Sequence, residues 1–535
     1  MLLSKKTTSL SLLFAVSIFI LLFPLPTQAA GIDQRIDEWF APIADWWEQV
    51  VFFTIPLTGD IAVPLVLILL AGGGVFFTIY FKFVNIRKLP VAMRAIRGKY
   101  DEVEQRPTAD GTPVAGELTH FQALTAALSG TVGLGNIAGV AVGIAIGGPG
   151  ATFWMIVSGL LGMSTKFVEC TLGVKYRDVG KDGQTYGGPM YYLSKGFKEL
   201  KAGRFGKVLA VIFAVMCVGA SLGGGNALQS NQAIAQLTST MGIEGGFVKT
   251  LFGIGLAVIV GIVIIGGIKR IGQITEKLVP FMGIVYLLGT LTVVAVHFEY
   301  IGEAFGLIIS QAFSPAAGFG GIVGVLITGF RRASFSNEAG IGSAAIAHSA
   351  VRTQYPASEG LVALLEPFVD TVVICTLTAL TIIFFNSEGL FTYGVTDQLG
   401  NVLVGEQAVG GVELTSMAFE SVIPHFSIVL TLAVFLFAFS TMLSWSYYGI
   451  QSWKFLFGRS KWADLSYKIL FLFFIIIGAA ATLDSVIKFS DAMILAMTFP
   501  NIIGLVLLAP KVKGELNRYL AAVGLRKPKQ NTETT

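Results

Sequence analysis

Runs of about 20 apolar residues, the length that crosses a bilayer core, recur eleven times along this 535-residue chain. They lie near 61–84, 118–143, 148–174, 206–236, 248–268, 275–297, 300–331, 358–385, 425–456, 464–481 and 484–509. Lipid offers no water to a loose N–H or C=O, so segments of this length must satisfy their backbone internally, as helices. The sequence therefore predicts an all-α polytopic membrane protein. Composition agrees, with 54% hydrophobic residues and only 13% charged, where soluble domains carry about 25% charged. No catalytic constellation is legible, whether clustered histidines, a His–Cys pair or a nucleotide-binding turn, and the sequence predicts no enzyme. Cys170, Cys217 and Cys375 each lie inside an apolar run and read as small buried hydrophobes. The net charge of +4 gives no reason to expect a nucleic-acid partner.

Charge placement sets an orientation. Residues 81–99 after the first span are rich in Lys and Arg, and further basic clusters fall in 175–207, at Lys269/Arg270, Arg331/Arg332, Lys454/Arg459/Lys461 and Lys511/Lys513/Arg518. With eleven spans, each cluster falls on the cytoplasmic side, as the positive-inside rule requires. The long loop 386–424 carries Glu388, Asp397, Glu406, Glu413 and Glu420 but no Lys or Arg. The N-terminus is thus expected outside and the tail 510–535 inside. Lys5, Lys6, the apolar run Leu10–Phe23 and "PLPTQAAG" have the layout of a signal peptide over 1–29. An uncleaved extra span is the rival, although the run is short for one. Residues 30–60, with Trp39, Trp46 and Trp47, suit an interfacial helix at the outer surface.

The ten spans after 61–84 divide into five and five, 118–297 and 300–509. An odd number per half makes the second half enter from the opposite side, which is the geometry of an inverted repeat. In such repeats the first helix of each half is often interrupted and holds substrate. Here the first carries "SGTVGLGNIAG" and its counterpart "SPAAGFGG", Ser314–Gly321. Glycines also serve close packing, but packing requires neither Asn136 beside Gly135 nor Pro315 in the partner. A broken helix offers free amides to an anionic group and free carbonyls to a cation, which suits an amino acid and Na+. Polar groups also sit in apolar surroundings at Asn226, Gln229 and Asn231, and at Ser440, Thr441, Ser444 and Trp445. Thr441 and Trp445 share a helix face. Hydroxyls bonded back to their own helix and a packing tryptophan are the alternative.

At these residues the chain resembles the alanine or glycine:cation symporter family, the sodium:alanine symporters. The motifs are "GTVGLGNIAGVAVGIAIGGPGATFWM", "GGPMYY", "FSNEAGIGSA" and "FSTMLSWSYYG", in order, and the likeness covers roughly 61–510. "VGLGN" is also similar to the unwound first core helix of neurotransmitter:sodium symporters. The resemblance implies a leucine-transporter-like five-plus-five inverted repeat behind one additional N-terminal transmembrane helix, 61–84. It implies sodium-coupled uptake of alanine or glycine across a bacterial inner membrane, with Na+ as coupling ion and no other cofactor. Carried over residue by residue, it implies substrate contacts at Thr131, Gly133, Asn136, Gln229, Thr441 and Trp445. Backbone at Gly318, Phe319 and Gly320 would join them. It implies sodium ligands at Ser129, Val132, Phe437, Ser440 and Thr441, so Thr441 falls in both sets. Leu134 departs from the family's usual smaller or polar residue, and "RRASFSNEAG" departs slightly ahead of SNEAG.

Two ionisable groups bear on coupling. Arg332 and Glu338 are expected on the cytoplasmic side, either as an ion-paired inner gate or as a solvated loop helix. Asp370 lies about a dozen residues into its span, where a carboxylate is by default functional. Proton coupling and a structural hydrogen-bonded role are both open for it, while Pro367 places Glu366 near the helix start. His120, His297, His348 and His425 fall at span ends, so no histidine relay is expected. A proton-coupled symporter and a non-transporting amino-acid sensor of the same fold stand as alternatives. Intact-mass measurement of the purified protein should find Ala30 at the N-terminus; a mass that includes Met1 would make the leader an uncleaved segment.

Overall fold

The computed structural model describes residues 32–58, 61–107, 114–180, 183–243, 247–313, 318–397 and 401–526. The leader 1–29, residues 314–317 and the end of the tail lie outside the described residues. Nearly all the rest is helix, joined by loops and three two-stranded hairpins. Helix α1, Ile32–Val51, is amphipathic. It buries Phe40, Ala44 and Val51 and leaves Trp39, Ile43, Trp46 and Val50 exposed. Helix α2 is Leu65–Tyr80. Next come α3, His120–Thr131, and α4, Val140–Gly147, then α5, Gly150–Lys175. Helices α6, Gly203–Met241, and α8, Gly267–Val296, flank α7, Val248–Ile264. The chain continues through α9, Ile301–Ala312, α10, Gly318–Asn337, and α11, Ala344–His348. It finishes with α12, Pro356–Phe385, α13, Phe426–Phe457, α14, Lys461–Ala480, and α15, Leu483–Ala522.

Among the described residues, seven helices are long and apolar enough to cross a membrane, and eight if the bent pair around α3 and α4 counts as one span. Helices α2 and α7 are shorter but apolar. Ile259, Ile262, Phe281, Ile284, Leu288 and Leu291 are exposed on α7 and α8, and an apolar face of this extent is matched to lipid rather than water. This is a multi-pass membrane protein. The expected run 300–331 is the one that does not correspond to a single helix: α9 and α10 share it, and α10 continues to Asn337.

Glycines set how closely the central helices approach. A Cβ at Gly147 would lie 2.8 Å from Thr328, one at Gly143 2.8 Å from Arg332, and one at Gly135 3.3 Å from Phe335. The order of these contacts makes α10 antiparallel to the segment that ends in α4. Such close approach is what small residues permit between membrane helices.

This packing corrects the placement of Arg331 and Arg332. They do not belong to a basic loop but lie within α10, at the level of Gly143, on the side that carries α1. Arg331 bonds Asp491 of α15 at 2.7 Å and Glu48 of α1 at 2.8 Å, and Arg332 also pairs with Asp491. The positive-inside rule counts charges in loops, and these guanidiniums are neutralised inside the bundle. Lys488 beside them bonds Asp45 of α1 and Asp484 at 2.9 and 2.7 Å. Asp491→Asn should remove about 3–5 kcal/mol, because it strands the buried Arg332 guanidinium and leaves Arg331 with Glu48 alone. Lys488→Ala, at a partly exposed pair, should shift stability by less than about 1 kcal/mol. Thermal unfolding in detergent checks the contrast, and equal effects would contradict it.

Candidate functional site

The first interruption follows α3. Val132 still bonds Leu128 O at 2.7 Å, but its ψ of 91° leaves the helical region. The chain resumes as a wide turn at Gly135–Gly139 and enters α4 with a 50° change of direction. Two freed amides are taken up by side chains: Gly133 N donates to Asn136 Oδ1 at 2.9 Å and Leu134 N to Gln229 Oε1 at 3.2 Å. Gln229 Nε2 in turn donates to Gly224 O at 2.8 Å, inside a second wide turn at Gly223–Ala227 of α6. One amide side chain thus serves two irregular segments. Asn136 Nδ2 donates to Asp370 Oδ1 at 2.6 Å, within a third wide turn, Phe368–Cys375 of α12. Single turns of this kind inside helices recur at functional sites.

Of the second expected interruption, residues 314–317 lie outside the described residues, between the end of α9 at Ala312 and the start of α10 at Gly318. Helix α10 runs unbroken from Gly318 past Gly320 to Asn337, so Gly318, Phe319 and Gly320 begin that helix roughly 25 Å along its axis from Asn337. The chain unwinds again over Glu338–Ser343. Glu338 (φ 56°), Gly340 (φ 91°) and Gly342 (φ 92°) all take the left-handed region, which is costly for a glutamate. Side chains hold the segment open. Ala339 N donates to Asn337 Oδ1 and Gly340 N to Glu169 Oε1, both at 2.9 Å, while Asn501 Nδ2 donates to Gly340 O at 2.9 Å. Glycine density alone does not break a helix; captured amides and left-handed residues do.

Asp370 ties the two interruptions together. Besides Asn136 it accepts from Ser336 Oγ, next to the second break, at 2.8 Å, and from Thr371 Oγ1 at 2.7 Å. Its surroundings are those of a structural hydrogen-bonded carboxylate. Glu366 lies at the start of the helical turn Leu365–Pro367, as expected, yet it is as deeply buried, so α12 carries two deep carboxylates rather than one. The expected pairing of Arg332 with Glu338 is not made. Glu338 Oε1 instead accepts from Trp445 Nε1 at 3.0 Å, and Oε2 from Ser343 Oγ.

Oxygens gather where α3 meets α13. Ser129 Oγ donates to Ser440 O at 2.7 Å, Thr441 Oγ1 to Ser129 O at 2.9 Å, and Ser440 Oγ to Phe437 O at 3.0 Å. Val132 closes the same end of α3. Hydroxyls and carbonyls without a carboxylate make a donor set suited to Na+. Thr441 Oγ1 also touches the first break, since a Cβ at Gly133 would lie 2.5 Å from it and 3.3 Å from Gln229 Oε1. Trp445 Nε1 reaches Gly130 O at 3.3 Å, and the indole lies against Gly225, where a Cβ would come within 2.2 Å. Thr131 is buried, its hydroxyl 3.4 Å from Ala127 O and Leu128 O of its own helix. Of the expected substrate residues, Gly133, Asn136, Gln229, Thr441 and Trp445 are therefore brought together, while Gly318–Gly320 form the first turn of α10.

Beyond Trp445, a cavity of about 340 Å³ lies between the α7–α8 connection and α13–α14, with Ser446, Tyr447, Gln451, Lys454 and Asp464 in its wall. Sequence reasoning missed Glu338's contact with Trp445, the bridging role of Asp370 and Lys166, which is fully buried in α5, 2.9 Å from Glu366. A lysine within an apolar span was itself the signal for the last. His120 and His348 are also buried and flanked by carboxylates, so these two lie in the core rather than outside it, as their positions at span ends had suggested. Position at a helix end does not imply contact with solvent.

Residues 48–533 match the model of the sodium:alanine symporter family. The sodium/alanine symporter AgcS of Methanococcus maripaludis is 40% identical over 458 residues, covering 85% of this chain and 94% of its own. The putative sodium/proton-dependent alanine carrier protein YrbD of Bacillus subtilis is 35% identical, covering 85% and 89%. The solved structure of MhsT in complex with L-phenylalanine aligns with 74% of this chain and 99% of its own, at 14% identity and a TM-score of 0.49. With a family match that spans nine-tenths of its length, this chain belongs to the sodium:alanine symporter family.

Proposed function

We propose that the protein is a secondary transporter that couples the entry of Na+ to that of a small neutral amino acid, alanine or glycine, across the bacterial inner membrane. One observation carries this reading: the freed amides of Gly133 and Leu134 lie beside the all-oxygen cluster of Ser129, Phe437, Ser440 and Thr441. A zwitterion and a cation would then bind as neighbours and favour each other. The side-chain oxygens of Asn136 and Gln229 accept from those amides, and a substrate carboxylate would take the same hydrogen bonds from them. Thr441 borders both places, which supports a link between ion and substrate. Trp445 and Gly225 would bound the apolar side.

The five-plus-five division, 118–297 and 300–509, is supported by the antiparallel run of α10 against α4 and by an interruption beside each. In this assignment the second set of backbone contacts falls at Glu338–Ser343 rather than Gly318–Gly320. The 340 Å³ cavity would be the vestibule on the cytoplasmic side, and the Arg331–Arg332–Asp491 cluster the closure on the other. N-terminus outside and C-terminus inside follow from the same assignment.

Uptake of labelled alanine into proteoliposomes with an imposed Na+ gradient tests the reading, and uptake indifferent to Na+ would refute it. Gly133→Ala should abolish uptake in a protein that still purifies as a single species, because the added methyl displaces Thr441. Asn136→Ala and Gln229→Ala should also lose it; normal uptake in both would move the site elsewhere. Ser440→Ala should raise the sodium concentration for half-maximal uptake roughly tenfold, the equivalent of about 1.4 kcal/mol, with a smaller change for alanine.

A further inference from the structure

A second polar assembly lies apart from the oxygen cluster and the first break. It starts below the surface in the short helix Asp101–Glu104, whose Glu104 Oε1 accepts from Tyr519 of α15 at 2.7 Å. Glu104 Oε2 faces His120 Nε2 at 2.6 Å, and His120 Nδ1 faces Glu359 Oε2. Glu359 Oε1 faces His348 Nδ1 at 2.5 Å, and His348 Nε2 faces Glu366 Oε1. Glu366 Oε2 ends the chain 2.9 Å from Lys166 Nζ. Residues of five different helices contribute, and each of these six side chains is at most 5% exposed.

Proton counting constrains this arrangement. Four imidazole–carboxylate contacts need four protons between nitrogen and oxygen, and a neutral imidazole supplies one. The two histidines therefore provide two, and two more must reside on the rings or the carboxylates. Charge gives the same answer. Three carboxylates against one ammonium leave two negative charges in a setting where an unpaired charge is strongly disfavoured. Of the next nearest groups, Glu169 from α5 and Arg177 from the loop after it are of opposite formal charge, and the Glu338 carboxyl near Lys166 adds a further acid, so the excess of acid over base is at least two. Burial lowers Arg177 to about 10, which leaves it charged at neutral pH while it donates to Ala115 O, Ser349 O, Val351 O and Thr353 O. Cys170 of α5 lies beside His348 and Glu366. Glu338 and Tyr192 face the Lys166–Glu169 end. A metal ion shared by Cys170, His348 and Glu366 would have to sit near the Lys166 ammonium and displace one of the two carboxylate contacts of His348.

We propose that the Glu104–His120–Glu359–His348–Glu366 chain is a proton-binding site that exchanges H+ with the solution at the Asp101–Glu104 end. Each uptake forms one N–H or O–H bond, changes the charge of the chain by one, and needs no other reactant. Removing a proton leaves two lone pairs facing across a contact and one uncompensated negative charge on the chain. Glu169, three residues on in α5, holds the second break through Gly340 N, so the proton state is felt where α10 unwinds. The site does not depend on the identity of the transported amino acid.

The test is infrared difference spectroscopy of the full-length protein in lipid nanodiscs, recorded between about pH 5.5 and about pH 8.5, the range in which histidine-linked sites titrate. The expected result is a carboxyl C=O band that titrates in the wild type and is lost in His348→Gln. His120→Gln, nearer the surface, should lose or shift the same band and serves if the first variant does not fold. Sodium-driven alanine uptake should vary with pH in the wild type and lose that dependence in the folded variants. No titrating band in the wild type, or an unchanged one in the folded variants, overturns the proposal even if uptake is normal. A titrating band that the variants remove, in a protein without sodium-driven alanine uptake, upholds the proton site and removes the transport assignment instead.

Discussion

A helix interrupted inside lipid releases amides and carbonyls that have no water to turn to, and the centre of this protein is organised around pairing them again. Gln229 and Asn136 take the two amides after Val132 and fix three irregular turns to one another through Gly224 and Asp370. Around the second break the same task falls to Asn337, Glu169 and Asn501. Gln229, Glu169 and Asn501 each lie on a different helix from the broken segment they serve, while Asn136 and Asn337 flank it. The irregular segments are thereby what hold the helices in register, and the loss of one capturing side chain would be felt at more than one helix.

The polar interior divides into parts of different chemical character. The oxygen cluster at Ser129, Ser440 and Thr441 is neutral and made of hydroxyls and carbonyls. The assembly from Glu104 to Lys166 is ionic and built on imidazole and carboxylate. A third group, Arg331 and Arg332 with Asp491 and Glu48, pins α10 to α15 and α1. Buried ion pairs contribute little net stability, so two such groups in one membrane bundle are better explained by what they position. Helix α5 joins the ionic assembly to the second break, since Lys166 lies in the former and Glu169, one turn away, holds the latter.

Most of the helical layout was legible because apolar run length is a strong signal, and ten of the eleven expected runs each correspond to one helix or one bent pair. The first break was legible for a local reason: Gly133, Gly135 and Asn136 are poor helix formers in a position that lipid punishes. Of the second, "SPAAGFGG", residues 314–317 lie outside the described residues between α9 and α10, while the break at Glu338–Ser343 was missed because it depends on an amide captured by Glu169 and a carbonyl captured by Asn501, more than 150 residues away in the sequence. No local pattern encodes such partners. Arg331 and Arg332 misled the charge count for a related reason, as their carboxylates come from distant helices. The buried histidines were overlooked because position at a helix end was equated with exposure; loops and short helices cover both ends here.

The contact between Trp445 and Gly225 has a consequence for how this site can change. The indole rests directly on main chain, with no space for even a methyl group between them. Backbone cannot be trimmed, so substitution on that side can only crowd the indole further. In the transporter we propose, room for a larger guest on that side must come from the tryptophan itself, which fixes a size ceiling in a single codon.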